Sequence, residues 1–198
     1  MLYFHIVDCT VKAYKKAETS SGLTLRIEAS LKGVKAENFV LMVRDASYRE
    51  KMEGPIKKFK LVEQTSRNTD VTYHELSLPF PMTNRDFVQK RLFVSNKQDP
   101  ELVAKLGLFN WDHAYHAVLI QSTERSEHPA KSSPIRGQTN MHYTLMQEDP
   151  NDKSVLKMTI VICQELNGNI PQVIMSGAGE KMATGMLTDL LKSYKKCF

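Results

Sequence analysis

Cysteine is scarce in this chain: Cys9, Cys163 and Cys197 make an odd number with no short spacing among them. A disulfide framework or a Cys-rich zinc site is not built that way, and a reducing compartment fits best. Long apolar runs are missing too, since no stretch nears the ~20 residues of a membrane-spanning helix. The opening residues Met1 to Asp8 turn polar too soon for a secretory leader. There is no GxSxG, HExxH, CxxC or P-loop. Gly177-Ala178-Gly179 begins like a dinucleotide fingerprint, but Met182 occupies the third glycine position. His113 and His116, beside Asp112, straddle an expected helix–strand junction and have no third ligand. No catalytic residue, cofactor or metal is therefore assigned.

What is present is an ordinary globular composition. The 198 residues suit one domain, 1–198, and 41% hydrophobic with 25% charged residues supports a packed core. The formal net charge of +5 permits attraction to nucleic acid or to anionic membranes. The basic residues are dispersed, however, with Lys57, Lys58 and Lys60 in one group and Lys192, Lys195 and Lys196 in another. No nucleic-acid-binding motif accompanies them, so no nucleic-acid partner is expected.

Short apolar segments bounded by turn residues predict strands over 11–17, 23–30, 56–64, 71–78, 87–96, 115–123, 138–147 and 155–166. Phe39, Leu41, Met42, Val43 and Ala46 recur at helical spacing and predict a helix over 36–53, stopped by Gly54-Pro55. Pro100 opens a further short helix within 99–113. Met182, Ala183, Met186, Leu187, Leu190, Leu191 and Tyr194 form the stripe of an amphipathic helix over 178–195. Hairpin-linked strands closed by one such helix predict an α+β fold, a curved antiparallel sheet around a long C-terminal helix. Incomplete gripping leaves an internal cavity, a usual place for a ligand.

Four charges bear on such a cavity. Glu75 and Arg91 lie on strands expected to be hairpin partners. If they point inward each needs a partner; otherwise they form an exposed cross-strand pair. Arg49 and Glu53 stand four apart on one helix and can pair there, or the planar fork of Arg49 can bind a phosphate at a cavity mouth.

These residues flank a longer signature. Leu78-Pro79-Phe80-Pro81-Met82-Thr83-Asn84-Arg85-Asp86-Phe87-Val88, followed by Arg91, strongly resembles the START domain, the steroidogenic-acute-regulatory-related lipid-transfer family. The form is closest to the phosphatidylcholine-transfer branch. Asp45 to Glu53 resembles the family's D-x-x-Y-R-x-x-W-D helix, Ser133-Pro134-Ile135-Arg136-Gly137 its V-(I/V)-R strand, and Gly168-Asn169-Ile170-Pro171 its approach to the last helix.

The resemblance implies a helix-grip fold enclosing a tunnel for one lipid. It implies non-catalytic binding and intermembrane transfer, in the first place of a glycerophospholipid, by a cytoplasmic monomer that meets membranes transiently. The lid would be Pro79, Phe80, Pro81 and Met82, and the headgroup contacts Arg49, Glu53, Glu75 and Arg91. Met52, Tyr73, His74, Phe87, Gln89, Asn140, Met182 and Met186 would line the cavity. Met52 stands where the family usually has tryptophan, and the positions of a choline cage fall on His74, Phe87 and Asn140, only one of them a clear aromatic. Phosphatidylethanolamine, other phospholipids, sterols and fatty acyl lipids therefore stay open as ligands. The family's first helix is missing, and 97–113 is an insertion that hairpin counting places opposite the lid. At a membrane the lid and last helix would open, with Lys192, Lys195 and Lys196 drawn to anionic lipid. The rival readings are a sterol or other lipid sensor or scaffold, and a cyclase- or hydrolase-like enzyme whose acid–base pair would be His74 with Glu75.

Overall fold

The computed structural model describes residues 2–6, 9–16, 22–49, 51–52, 54–108, 114–170 and 172–198, and the side chains of these except in 2–9, 15–16 and 172–182. Its strands join in a single ten-stranded sheet. The order is β1 (Leu2–Ile6), β2 (Cys9–Lys16), β3 (Gly22–Lys32), β10 (Val155–Glu165), β9 (Gln138–Glu148), β7 (Tyr115–Ser122), β6 (Arg85–Ser95), β5 (Thr69–Leu76) and β4 (Ile56–Gln64). The two-residue β8 (Ile135–Arg136) adds to β6 in parallel, and the other pairings are antiparallel. Hairpin connection makes that pattern the natural one.

Alternation sends Val11, Ala13, Leu25, Ile27, Leu31, Met158 and Ile160 to one face, where all are buried. Two helices cover this face. The first, α1 (Ala36–Arg44), buries Ala36, Phe39 and Met42. The last, α4 (Gln172–Cys197), adds Ala183, Leu187 and Tyr194 to the same core. Each large apolar side chain so buried contributes about 1.5–3 kcal/mol. Tyr194 also pins the end of α4 to α1, its hydroxyl accepting from the Lys35 backbone N–H at 3.0 Å and from Asn38 at 3.3 Å.

The expected helix over 36–53 is in fact two. Asp45 leaves helical geometry at ψ 126° and starts the short α2 (Ala46–Arg49). Its carboxylate accepts from the backbone N–H and the hydroxyl of Ser47, at 2.8 and 2.7 Å. An aspartate at this position satisfies an otherwise orphaned N–H and so favours a new start over continuation. The break sets the direction in which Arg49 leaves the chain.

Residues 77–84 enter β6 at one end, and 96–114 leave it at the other, as hairpin counting predicts. Along that second connection α3 (Pro100–Lys105) sets Val103 against Val94, Tyr115 and Ala117 on the outer face of the sheet. Residues 109–113 lie outside the described residues. Two strands carry bulges, β4 between Lys57 and Lys60 and again between Leu61 and Glu63, and β9 opposite Cys163 and Gln164. Each bends its strand and reverses which side chains face inward beyond it.

Candidate functional site

The inward face is not apolar throughout. Register aligns Asp70, Arg91, Ile120, His142, Ile162 and Leu25 in one row across six strands. Thr72 and Gln89 share the next row, and His74 and Phe87 the one after. Arg91 donates from Nε and Nη2 to the two carboxylate oxygens of Asp70, at 2.7 and 2.9 Å. It also donates to the carbonyls of Val43 and Arg44 at 2.8 and 3.3 Å. Those carbonyls are the end of α1, where a cation is favoured. Arg91 is thus a clasp between sheet and helix, with its charge matched by Asp70.

Arg49 is differently placed. Its Nη1 donates to the Met52 sulfur at 3.0 Å, and its Nε is buried with no hydrogen-bond partner. No carboxylate among the described residues forms an ion pair with it. The guanidinium lies 5.4 Å from the ring centre of Phe59, on whose ring the Arg91 guanidinium also sits at 5.4 Å. Burial, and then the neighbouring Arg91 charge, push the Arg49 pKa down to about 10. Arg49 stays protonated at neutral pH, as a buried cation with a free donor.

Two histidines complete the polar interior. His74 stacks on Phe87 with ring centres 5.3 Å apart. Burial first, then the charges of Arg49, Arg91 and His142, hold its pKa down to about 3. His142 is held down to about 4 by burial and then by Arg49. Arg49 and His142 keep part of their surface open, yet burial dominates their ionisation. Thr72 lies between Asp70 and His74 on the inward side of β5, its hydroxyl buried without a partner. Gln89 is satisfied by the Thr139 hydroxyl at 2.7 Å, while Met52 and Met186 pack at the edge of the core.

The loop expected as a lid is anchored by the three residues that follow it. The Asn84 side chain accepts from the Leu78 N–H at 3.3 Å and closes the loop on itself. Arg85, fully buried, donates to the carbonyls of Thr83, Leu166 and Asn167, tying the loop to the approach to α4. Gly168 is required there: at φ +67° a Cβ would meet Ile135 at 2.9 Å and Arg85 at 3.3 Å. Asp86 turns outward and receives both arms of Arg136 at 2.9 and 3.0 Å. Met82 packs with Leu23, Phe87, Leu166 and Ile170, whereas Phe80 at the loop tip is 97% exposed.

Several expected site residues stand elsewhere. Glu75 does not pair with Arg91: it is opposite Asp86, on the outer face, where it accepts from Lys58 at 2.9 Å and Tyr73 at 3.1 Å. Tyr73 shares that face and stacks on His128 at 4.8 Å, so neither residue is on the inward face. Burial, and then its bond to Glu75, push the Tyr73 hydroxyl up to about 12. Asn140 is the extra residue of the β9 bulge; Thr139 takes the inward place and Asn140 turns out to donate to Glu165 at 2.9 Å. Lys192, Lys195 and Lys196 lie in the last turns of α4, at the end that Tyr194 fixes to α1, while the loop expected as a lid packs by Ile170 at the other end. With ~1.5 Å per residue that is a separation of tens of ångströms, so the lysines and the lid do not form one surface. Glu53 and the side chain of Met182 lie outside the described residues.

Sequence reasoning missed Asp70, Phe59, Thr72 and His142. Asp70 was readable as the residue opposite Arg91 once the 77–84 connection set the register. Phe59 was not, because the β4 bulge at Lys58, with φ 48°, turns it inward. Among the described residues no three His, Cys, Asp or Glu gather as metal ligands, and no helix is long and apolar enough to cross a membrane.

The START domain family matches residues 8–196. The chain belongs to the START family. Two relatives of this START domain are phosphatidylcholine transfer proteins. The one from Bos taurus is 27% identical over 155 residues, covering 77% of this chain and 65% of its own length. The one from Mus musculus is 23% identical over 184 residues, covering 92% and 78%. Among solved structures, human StAR-related lipid transfer protein 5 aligns with TM-score 0.70 at 14% identity, over 93% of this chain and 86% of that one. Human STARD10 aligns with TM-score 0.66 at 16% identity, over 93% and 72%. These structures bear out the helix-grip fold, whose last helix here spans Gln172–Cys197, longer than the stripe over 178–195.

Proposed function

We propose that this START domain encloses one glycerophospholipid and carries it between membranes without chemical change, as a cytoplasmic monomer that touches membranes transiently. The observation that carries this reading is Arg49, whose guanidinium Nε is buried and unpartnered. A buried donor without a partner is costly, and a lipid phosphate would relieve that cost while the acyl tails lie against the apolar inner face of the sheet. The relatives named as phosphatidylcholine transfer proteins support the same class of ligand. Phe80, exposed at the tip of the anchored loop, supplies an apolar tip for a membrane surface.

The enzyme reading has less support. His74 and Glu75 point to opposite faces of β5, so they form no acid–base pair. A histidine held near pKa 3 is also far from the range that suits proton transfer at neutral pH. The test is transfer of fluorescent phospholipids and sterols between donor and acceptor liposomes. Phospholipid transfer that Arg49→Gln abolishes supports the proposal; no transfer and no co-purified lipid would sink it.

A further inference from the structure

We propose that Phe59 is the positioning residue for Arg49, its ring holding the guanidinium where a lipid phosphate is received. This rests on the phospholipid reading above and adds the side chain that aims its arginine. Cations and rings alternate here in the order Arg49, Phe59, Arg91, Phe93, Arg44. Arg49 and Arg91 each lie 5.4 Å from the centre of Phe59, and Arg91 and Arg44 lie 5.0 and 5.2 Å from that of Phe93. Arg91 is the fixed member, held by both carboxylate oxygens of Asp70 and by the carbonyls of Val43 and Arg44. Phe59 lies against that anchored cation, and Arg49 against Phe59. The Arg91 charge is felt at Arg49, and two like charges move apart unless negative density stands with both. The face of an aromatic ring supplies it.

Backbone geometry puts the ring there. Lys57 is opposite Glu75 and Lys60 opposite Tyr73, both outer-face residues, so strict alternation is broken between them. Lys58, at φ 48°, is the extra residue. Its side chain turns out to Glu75, and Phe59 takes the inward place, level with His74. A ring suits this task better than a carboxylate would. A carboxylate fixes a guanidinium by taking its N–H groups, whereas a ring meets it over the face and takes none. Among the described residues, Arg49 Nη1 meets the Met52 sulfur, a weak acceptor, at 3.0 Å, and Nε meets no acceptor. Phe59 thereby sets the position of the cation and leaves N–H groups for a phosphate.

The test places monofluoro-, trifluoro- and pentafluoro-phenylalanine at position 59 of the full chain. Fluorine draws electron density from the ring face while nearly keeping its shape, so it weakens the hold on a cation and leaves the packing. Each protein is equilibrated with vesicles of phosphatidylcholine and diacylglycerol that have the same acyl chains, and the retained lipid is weighed by native mass spectrometry. Phosphatidylcholine retention should fall stepwise, by about five- to thirtyfold at the pentafluoro ring, the range of a desolvated cation–ring contact. Diacylglycerol, which has no phosphate, should change by less than about twofold. Phe59→Leu should behave like the pentafluoro ring and Phe59→Tyr like the wild type; the fluorinated series decides even where Phe59→Leu folds poorly. An equal loss for both lipids makes Phe59 a packing residue, and no loss for either means that other groups hold Arg49. Either result overturns this inference and, where Arg49→Gln still loses phosphatidylcholine, leaves the phospholipid reading standing. An Arg49→Gln protein that retains phosphatidylcholine like the wild type overturns both.

Discussion

Asp70 and Arg91 face each other across β5 and β6 in a two-bonded ion pair whose side chains are 1% and 3% exposed. The remaining donors of Arg91 reach the last carbonyls of α1, so one pair joins the sheet to the helix that leads to Arg49. Removing one partner leaves a buried charge alone. Asp70→Ala should lower stability by about 3–5 kcal/mol, whereas Asp70→Leu combined with Arg91→Met should lose much less. Urea unfolding of the three proteins decides it, and equal losses in both variants would count against the clasp.

Arg49→Met removes a buried charge with no partner for its Nε, and should stabilise the lipid-free chain by about 1–3 kcal/mol while reducing phospholipid pickup. The two readouts, denaturation of delipidated protein and lipid transfer, should move in opposite directions. A variant that loses stability would mean that Arg49 has a structural partner in the empty state.

The buried histidines set a pH dependence. His74 is held near 3 and His142 near 4, while an unfolded chain titrates near 6.5. Both folded values are depressed, so on acidification the unfolded chain takes up these protons first. The contribution is fully present above about pH 6.5 and falls as pH drops from there toward 4, by up to ~1.4 kcal/mol per unit for each histidine. Arg49 and Arg91 face both rings or one of them, and Asp70 stands in the same row, so measurement should stop near pH 5, before carboxylates titrate. Guanidinium unfolding at pH 7, 6 and 5 should show the decline, flattened in the His74→Gln, His142→Gln double variant.

Glu75 offers a contrast. It lies on the outer face with Lys58, whose side chain is 72% exposed, and such pairs contribute about 1 kcal/mol or less. Glu75→Gln should therefore leave lipid uptake unchanged in the liposome assay. A large loss of uptake would place Glu75 in the ligand's path after all.

Arg85→Ala should free the 77–84 loop. Three carbonyls, on Thr83, Leu166 and Asn167, lose their donor, and the loop loses its tie to the approach to α4. Limited proteolysis should cut the loop faster in the variant than in the wild type, and unchanged cleavage would show that Met82 alone holds it.

Much of this was readable in advance. The strands β2 to β7, β9 and β10 and the last helix follow from periodicity, which is a local property of the chain. The 78–91 signature pointed to the family, and the structure explains its residues: Asn84, Arg85 and Asp86 each close a different contact around the lid. The break at Asp45 was also latent, since Asp45 and Ser47 have the spacing of a helix start, but the apolar pattern runs through it and hides it.

The sequence by itself determined the hairpin series of strands and the gripping helix. Only the tertiary structure decided which of the candidate residues face inward. Inward or outward is a matter of parity, and one bulged residue reverses it, as Asn140 and Phe59 show. Partners are a matter of register, which set Arg91 against Asp70 and left Glu75 on the other side. The distinctive feature of Arg49 is a partner that is not there among the described residues. An absence of that kind exists only once distant segments have been brought together, because it depends on every group that could have come near.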